Sequence, residues 1–188
     1  MTEQLTLNDK DLARIGARID RPIVLVGLMG VGKSTVGKRV AAMLRRDFID
    51  ADEEIEHAAQ RSVSEIFEEF GETYFRDGER RVIARLMEEG AGVIATGGGA
   101  FADPQTRALI LERGFAVWID CDIETLVERT SRRDTRPLLQ SGDPKEILTR
   151  LYREREPFYS QSHIRVTSKD GPHGETAEAI IEAIDRWL

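Results

Sequence analysis

Cysteine is almost missing from the chain. Cys121 is the only one among 188 residues, so no disulfide can close within it, and a reducing compartment is the expected setting. Long apolar runs are missing too. No stretch approaches the roughly 20 residues a membrane helix needs, and the opening MTEQLTLNDKDLARIGARID has no apolar stretch of a secretory signal. A cytoplasmic protein with no membrane partner is expected. An excess of positive charge is also absent: 27 Lys and Arg are outnumbered by 34 Asp and Glu, for a formal charge of −7. That excludes a broad nucleic-acid coat, which needs a basic surface. It leaves room for a small anion held by a local arginine cluster. Lysine is scarce, since 22 of the 27 basic residues are Arg. Composition bias accounts for most of that ratio, although guanidinium forks also suit carboxylate and phosphate.

Hydrophobic residues make up 40% and charged residues 32% of the chain, enough to bury one core in a single domain. Residues 1–20 are polar. Leu12, Ile15 and Ile19 stand at helical spacing there, but a loosely attached N-terminal extension is expected, with the domain proper over residues 21–188. From Pro22 onward strands and helices alternate. Ile23–Val26 is a continuous aliphatic run, as a strand buried on both faces requires. Further strands are predicted at 48–49, 93–95, 115–119 and 164–166. Helices are predicted at 34–44, 52–59, 62–70, 73–89, 104–113, 123–132, 144–162 and 176–188. Ser62 and Glu65 have the spacing of a capping box. Residues 133–143 (RDTRPLLQSGD) interrupt the pattern and read as an exposed loop. The alternation predicts an α/β fold, three layers α/β/α around a five-stranded parallel sheet.

The segment Gly27-Leu28-Met29-Gly30-Val31-Gly32-Lys33-Ser34 fits G-x-x-x-x-G-K-[ST], and it lies between a buried strand and a helix. Glycines let backbone N–H groups curl around phosphate oxygens, and the positive end of the following helix faces the anion. Gly30, Val31, Gly32, Lys33, Ser34 and Thr35 are therefore the expected nucleotide-binding residues. Lys33 can reach the β- and γ-phosphates and the Ser34 hydroxyl can ligate Mg²⁺. The sole asparagine, Asn8, precedes the first strand, so the Asn-Lys-x-Asp element that reads guanine is absent. The third strand ends in Thr96-Gly97-Gly98-Gly99 rather than in the acid of large ATPases, while Asp50 and Asp52 follow the second strand. These features favour a small-molecule or nucleotide kinase over a switch or a motor.

With GLMGVGKST, FIDAD (48–52), ETYFRDGE (72–79), ATGGGA (95–100), TRPLL (135–139) and REREPFY (153–159) in order, the chain resembles the shikimate kinases, within the P-loop nucleoside-monophosphate-kinase-like fold. The resemblance covers about residues 21–188. It implies a mobile lid over 133–143 and MgATP-dependent phosphorylation of the shikimate 3-hydroxyl, on the route to chorismate and the aromatic amino acids. By residue, it implies that Asp52 grips the substrate hydroxyls, which suits a carboxylate that only accepts hydrogen bonds; read alone, Asp52 is also a natural helix cap. It implies that Asp50 orients magnesium through water. Arg76 and Arg155 would hold the substrate carboxylate, although each by itself reads as an ordinary helix arginine. Gly97, Gly98 and Gly99 would approach the substrate with backbone donors. Arg136 would be the lid arginine that reaches the transferring phosphate, and Arg129 would lie near the nucleotide. Asp52, Lys33 and Arg136 are thus the expected catalytic set, with Ser34 and Asp50 at the metal. Shikimate and ATP are the expected partners, and a monomer is expected. Gluconate, an aminoshikimate analogue and a nucleoside monophosphate stay open as acceptors, as does an inactive nucleotide-binding module. His57, His163 and His173 share no metal-ligand spacing and are expected to be surface or structural residues, Cys121 a packing residue, and Trp118 and Trp187 core residues.

Overall fold

The computed structural model describes residues 7–132, 139, 141–169 and 171–188. Among them five strands form one parallel sheet: β1 (Ile23–Val26), β2 (Phe48–Asp50), β3 (Val93–Ala95), β4 (Phe115–Asp120) and β5 (Ile164–Thr167), in the order β2-β3-β1-β4-β5. β1 and β4 are buried at every residue, whereas the edge strand β5 alternates buried and exposed residues. That contrast explains why the central strands read as unbroken apolar runs. β1 leads toward β2 on one side of the sheet and its neighbour β4 leads toward β5 on the other. Ligands of open parallel sheets sit where connections part in this way, beyond the carboxyl ends of the strands.

The helices are α1 (Asp9–Arg18), α2 (Lys33–Leu44), α3 (Ala51–Ala59), α4 (Val63–Glu88), α5 (Pro104–Arg113), α6 (Ile123–Ser131), α7 (Pro144–Tyr159) and α8 (His173–Trp187). α1, α2 and α8 pack together. α4, α5 and α7 meet around a 3-10 turn at Ala100–Ala102, with α6 against α7. The expected three-layer architecture is the one observed. The capping box forms as predicted: Glu65 N donates to Ser62 Oγ at 3.1 Å and Ser62 N to Glu65 Oε2 at 2.8 Å. The two helices expected over 62–89 run on as α4, broken at Gly71 (φ 83°, ψ 175°), where only glycine is comfortable.

Three local expectations are corrected. Within the N-terminal segment, residues 8–19 are not loosely attached. Asn8 caps α1 by accepting from Lys10 N and Asp11 N, Ile15 is fully buried and Ile19 nearly so. Arg46 donates to the Gly16 and Ile19 carbonyls at 3.0 and 2.7 Å, and Arg14 and Arg18 both pair with Asp185 of α8. Trp187 is not core; it is 47% exposed and sets its ring edge-on to Phe115 and His163. The last helix starts at His173 rather than Thr176. Trp118 and Cys121 are buried as expected, and His163 Nδ1 accepts from Ala116 N at 3.0 Å, a structural role. No helix among the described residues is long and apolar enough to cross a membrane.

Candidate active site

The loop after β1 turns through three glycines in the left-handed region, Gly27 (φ 143°), Gly30 (φ 89°) and Gly32 (φ 91°). At Gly27 space forbids a side chain as well, since a Cβ would stand 2.6 Å from the Ile119 carbonyl oxygen. Gly32 is the N-cap of α2 and offers no side-chain acceptor, so the first amides of that helix face the loop, the arrangement that draws anions. Lys33 is buried and folds back, donating from Nζ to Gly27 O at 2.7 Å and Leu28 O at 2.9 Å. Ser34 Oγ donates to Asp50 Oδ2 at 2.7 Å. Val31 is buried and Thr35 is exposed one turn into α2. Arg129 of α6 ties the loop to the segment before α8: it donates to Val31 O at 3.3 Å, Ser168 Oγ at 3.4 Å and Lys169 O at 3.0 Å. His173, expected to be a surface or structural residue, packs close enough that a Cβ on Gly32 would come within 3.3 Å of its ring.

The second part of the site gathers on the triple glycine after β3. Asp50, not Asp52, is the N-cap of α3, its Oδ1 accepting from Asp52 N at 3.0 Å and Glu53 N at 3.3 Å. Capping therefore does not account for the Asp52 side chain. That side chain lies against Gly97, where a Cβ would be 2.9 Å from Asp52 Oδ1. Cβ atoms at Gly98 and Gly99 would stand 3.2 Å from Arg155 Nη1 and 2.2 Å from Arg76 Nη2. Three side chains from α3, α4 and α7 thus fill the space that three missing side chains leave. Arg76 pairs with the buried Glu79 at 2.8 Å and reaches exposed Glu72 at 3.6 Å, and its guanidinium lies over the Phe75 ring. A cleft of about 710 Å³ opens beside Arg76, Gly99 and Arg155.

Asp52 Oδ1, Glu79 Oε2 and Arg155 Nη1 are buried and have no hydrogen-bond partner among the described residues. Buried polar atoms are nearly always paired, so the described residues leave a donor for Asp52 and an acceptor for Arg155 to be supplied. Burial pushes the Asp52 carboxyl above its usual range, and Asp50 adds repulsion that Lys33 and Arg76 partly offset. Burial raises Glu79 to about 7 against the pull of Arg76. For a metal, no cluster of three or more His, Cys, Asp or Glu occurs among the described residues. The Ser34 hydroxyl beside the Asp50 carboxylate is a hard-oxygen pair, and it fits Mg²⁺, which keeps waters and phosphate oxygens as its other ligands.

Arg136 and most of the expected lid (133–138 and 140) lie outside the described residues. Two residues of this site were not singled out from sequence, Glu79 and Tyr159. Each stands one helical turn past an expected arginine, Glu79 at i+3 from Arg76 and Tyr159 at i+4 from Arg155, the spacing of side chains that share a helix face.

Comparison with known proteins gives the family. A family model described as shikimate kinase matches residues 29–185. A shikimate kinase of Novosphingobium aromaticivorans is 61% identical over 186 residues, 97% of this chain and 96% of its own length. One from Caulobacter vibrioides is 53% identical over 174 residues, 93% of this chain and 86% of its own. Among solved structures, shikimate kinase from Acinetobacter baumannii in complex with shikimate superposes with a TM-score of 0.85 at 35% identity, covering 95% of this chain and 98% of that one. A gluconokinase from Sinorhizobium meliloti shares the fold at a TM-score of 0.62 but only 18% identity, covering 90% of this chain and 94% of its own. With a family model over residues 29–185 and a relative 61% identical over nearly the whole of both chains, the chain belongs to the shikimate kinase family.

Proposed function

We propose that the protein transfers the γ-phosphate of ATP to the 3-hydroxyl of shikimate, releasing ADP and shikimate 3-phosphate on the way to chorismate. The observation that carries this is the meeting of Asp52, Arg76 and Arg155 on Gly97–Gly99 beside the phosphate loop, with Asp52 Oδ1 and Arg155 Nη1 buried and without a partner among the described residues. An acceptor with a hydroxyl at one end and a carboxylate at the other satisfies both. The planar fork of Arg155, with Arg76 beside it, binds the carboxylate. Asp52 accepts a hydrogen bond from the attacking hydroxyl, and its raised pKa makes it a better base for that proton.

The amides of Gly30, Val31, Gly32, Lys33, Ser34 and Thr35 cradle the phosphates, with Arg129 bracing the loop. Lys33 leaves the Gly27 and Leu28 carbonyls for a phosphate oxygen. The hydroxyl oxygen forms the new bond to phosphorus as the bridging oxygen of ADP leaves in line. With little covalent chemistry for the protein to do, positioning and charge neutralisation supply the acceleration. Ser34 directly and Asp50 through water would hold Mg²⁺, whose charge offsets that of the β- and γ-phosphates when bound. Arg136 from the lid is assigned to the transferring phosphoryl group, and lid closure to the exclusion of water. The site is built within one chain, so a monomer working in the cytoplasm is the natural setting.

Gluconate shares a carboxylate and neighbouring hydroxyls, and the gluconokinase likeness, at 18% identity, speaks to the fold alone. ADP release measured in parallel with shikimate, aminoshikimate, gluconate and nucleoside monophosphates tests the assignment. Turnover is expected with shikimate above the others. Turnover with a nucleoside monophosphate alone would refute the acceptor, and ATP binding without any turnover would mark an inactive module.

A further inference from the structure

The proposed chemistry uses Arg155 of REREPFY and leaves Tyr159 without a task. Tyr159 is 1% exposed, and its hydroxyl donates to the carbonyl oxygen of Gly98. It lies one helical turn beyond Arg155, so α7 presents both side chains to the same loop. Gly98 is the crowded point of that loop: a Cβ there would meet Arg155 Nη1 at 3.2 Å and the backbone N of Met29, in the phosphate loop, at 3.4 Å. The Gly98 carbonyl and the Gly99 N–H belong to one planar trans peptide and point in opposite directions. A peptide between two glycines has no side chain to bias its orientation. Something outside the loop must hold it, and a buried phenol, which has to find an acceptor, serves.

We propose that Tyr159 is a positioning residue for the acceptor: by anchoring the Gly98 carbonyl it fixes the Gly98–Gly99 peptide plane, so that the Gly99 amide and the guanidinium of Arg155 face the acceptor together. The role rests on the assignment of the acceptor site above. Burial raises the Tyr159 pKa, and the nearby Arg155 and Arg76 only partly oppose this, so the hydroxyl stays a donor throughout the neutral range.

Tyr159→Phe removes the hydroxyl and keeps the ring. The KM for shikimate should rise about tenfold, the cost of one buried hydrogen bond expressed as affinity, while the KM for ATP stays within about twofold. Trp118→Phe is the control: its ring is 5.8 Å from that of Tyr159, and it should lower the Tm without changing the ratio of the two KM values. An unchanged shikimate KM in Tyr159→Phe, an equal rise in both KM values, or the same selective shift in Trp118→Phe overturns the role. If the Phe variant does not fold, a fluorinated tyrosine at position 159, whose phenol loses its proton at lower pH, takes its place. Its shikimate KM should then climb with pH more steeply than that of the unaltered enzyme, and a parallel profile refutes the inference. Absence of shikimate turnover by the unaltered enzyme sinks the acceptor assignment and this role with it, whereas normal turnover with no Tyr159 effect sinks the role alone.

Discussion

At the proposed nucleotide end, one contiguous segment, residues 27–35, supplies the cradle, and two of its polar side chains already have partners: Lys33 on two carbonyls and Ser34 on Asp50. At the proposed acceptor end, α3, α4 and α7 each send one side chain to a loop that has none, and two of the three leave a buried polar atom without a partner among the described residues. The first arrangement is stable by itself and is set mainly by backbone conformation. The second holds desolvated charge in place ahead of its ligand, so hydrogen bonds to the acceptor recover a cost already present in the empty fold. Stability and chemistry are therefore separable, and substitutions at the two ends should fail in different ways.

The largest expected effect is at Asp52. Asp52→Asn should lower turnover by at least ~100-fold, the scale of losing a positioned base, with ATP affinity nearly intact in a direct binding assay. Because burial already disfavours the charged carboxylate, the same variant should melt no lower than the parent. Equal loss of turnover and nucleotide affinity would erase the distinction between the two ends.

A pair of glycine substitutions sharpens it. Gly99 has φ −99°, so alanine is tolerated by the backbone, but its Cβ would fall 2.2 Å from Arg76 Nη2. Arg76 must move, and the shikimate KM should rise roughly tenfold or more, as when a carboxylate loses one arm of its grip. Gly32→Ala strains a φ of 91° and should raise the ATP KM instead. Initial-rate kinetics with each substrate varied separately reads both, and crossed effects would contradict the comparison.

The smallest effect is on stability. Glu79 has its pKa raised from an ordinary 4.5 to about 7. The folded protein therefore binds the proton more tightly than the unfolded chain. That contribution is complete below about 4.5 and is lost as pH rises through about 7, so the Tm of the free protein should fall by a few degrees across that window. Glu79→Gln should flatten the slope in a thermal-melt series, and an unchanged slope would show that Glu79 is not its source.

Much of the scaffold was legible in the chain because it is coded locally. The Ile23–Val26 run, the glycine loop and the Ser62–Glu65 box each sit within a few residues, and each formed where its spacing placed it. The misreadings involve partners distant in sequence. Polar residues 9–18 dock because Arg46 and Asp185 receive them. Trp187 is 47% exposed because its ring meets Phe115 and His163 edge-on rather than entering the core. His173 belongs to the phosphate-loop wall because α8 begins against Gly32. Glu79 and Tyr159 had helical spacing from the expected arginines as a signal, but spacing alone does not reveal a buried face.

What the sequence determined alone is the phosphate cradle and the alternation of strand and helix, since backbone freedom at glycine and apolar periodicity act over a few residues. That Asp50 caps α3 and leaves Asp52 against Gly97, that Arg76 and Arg155 converge on Gly98 and Gly99, and that Tyr159 holds the Gly98 carbonyl were decided by tertiary structure. Those contacts depend on how α3, α4 and α7 pack around the ends of the strands, and packing joins residues whose separation along the chain carries no information about their distance in space.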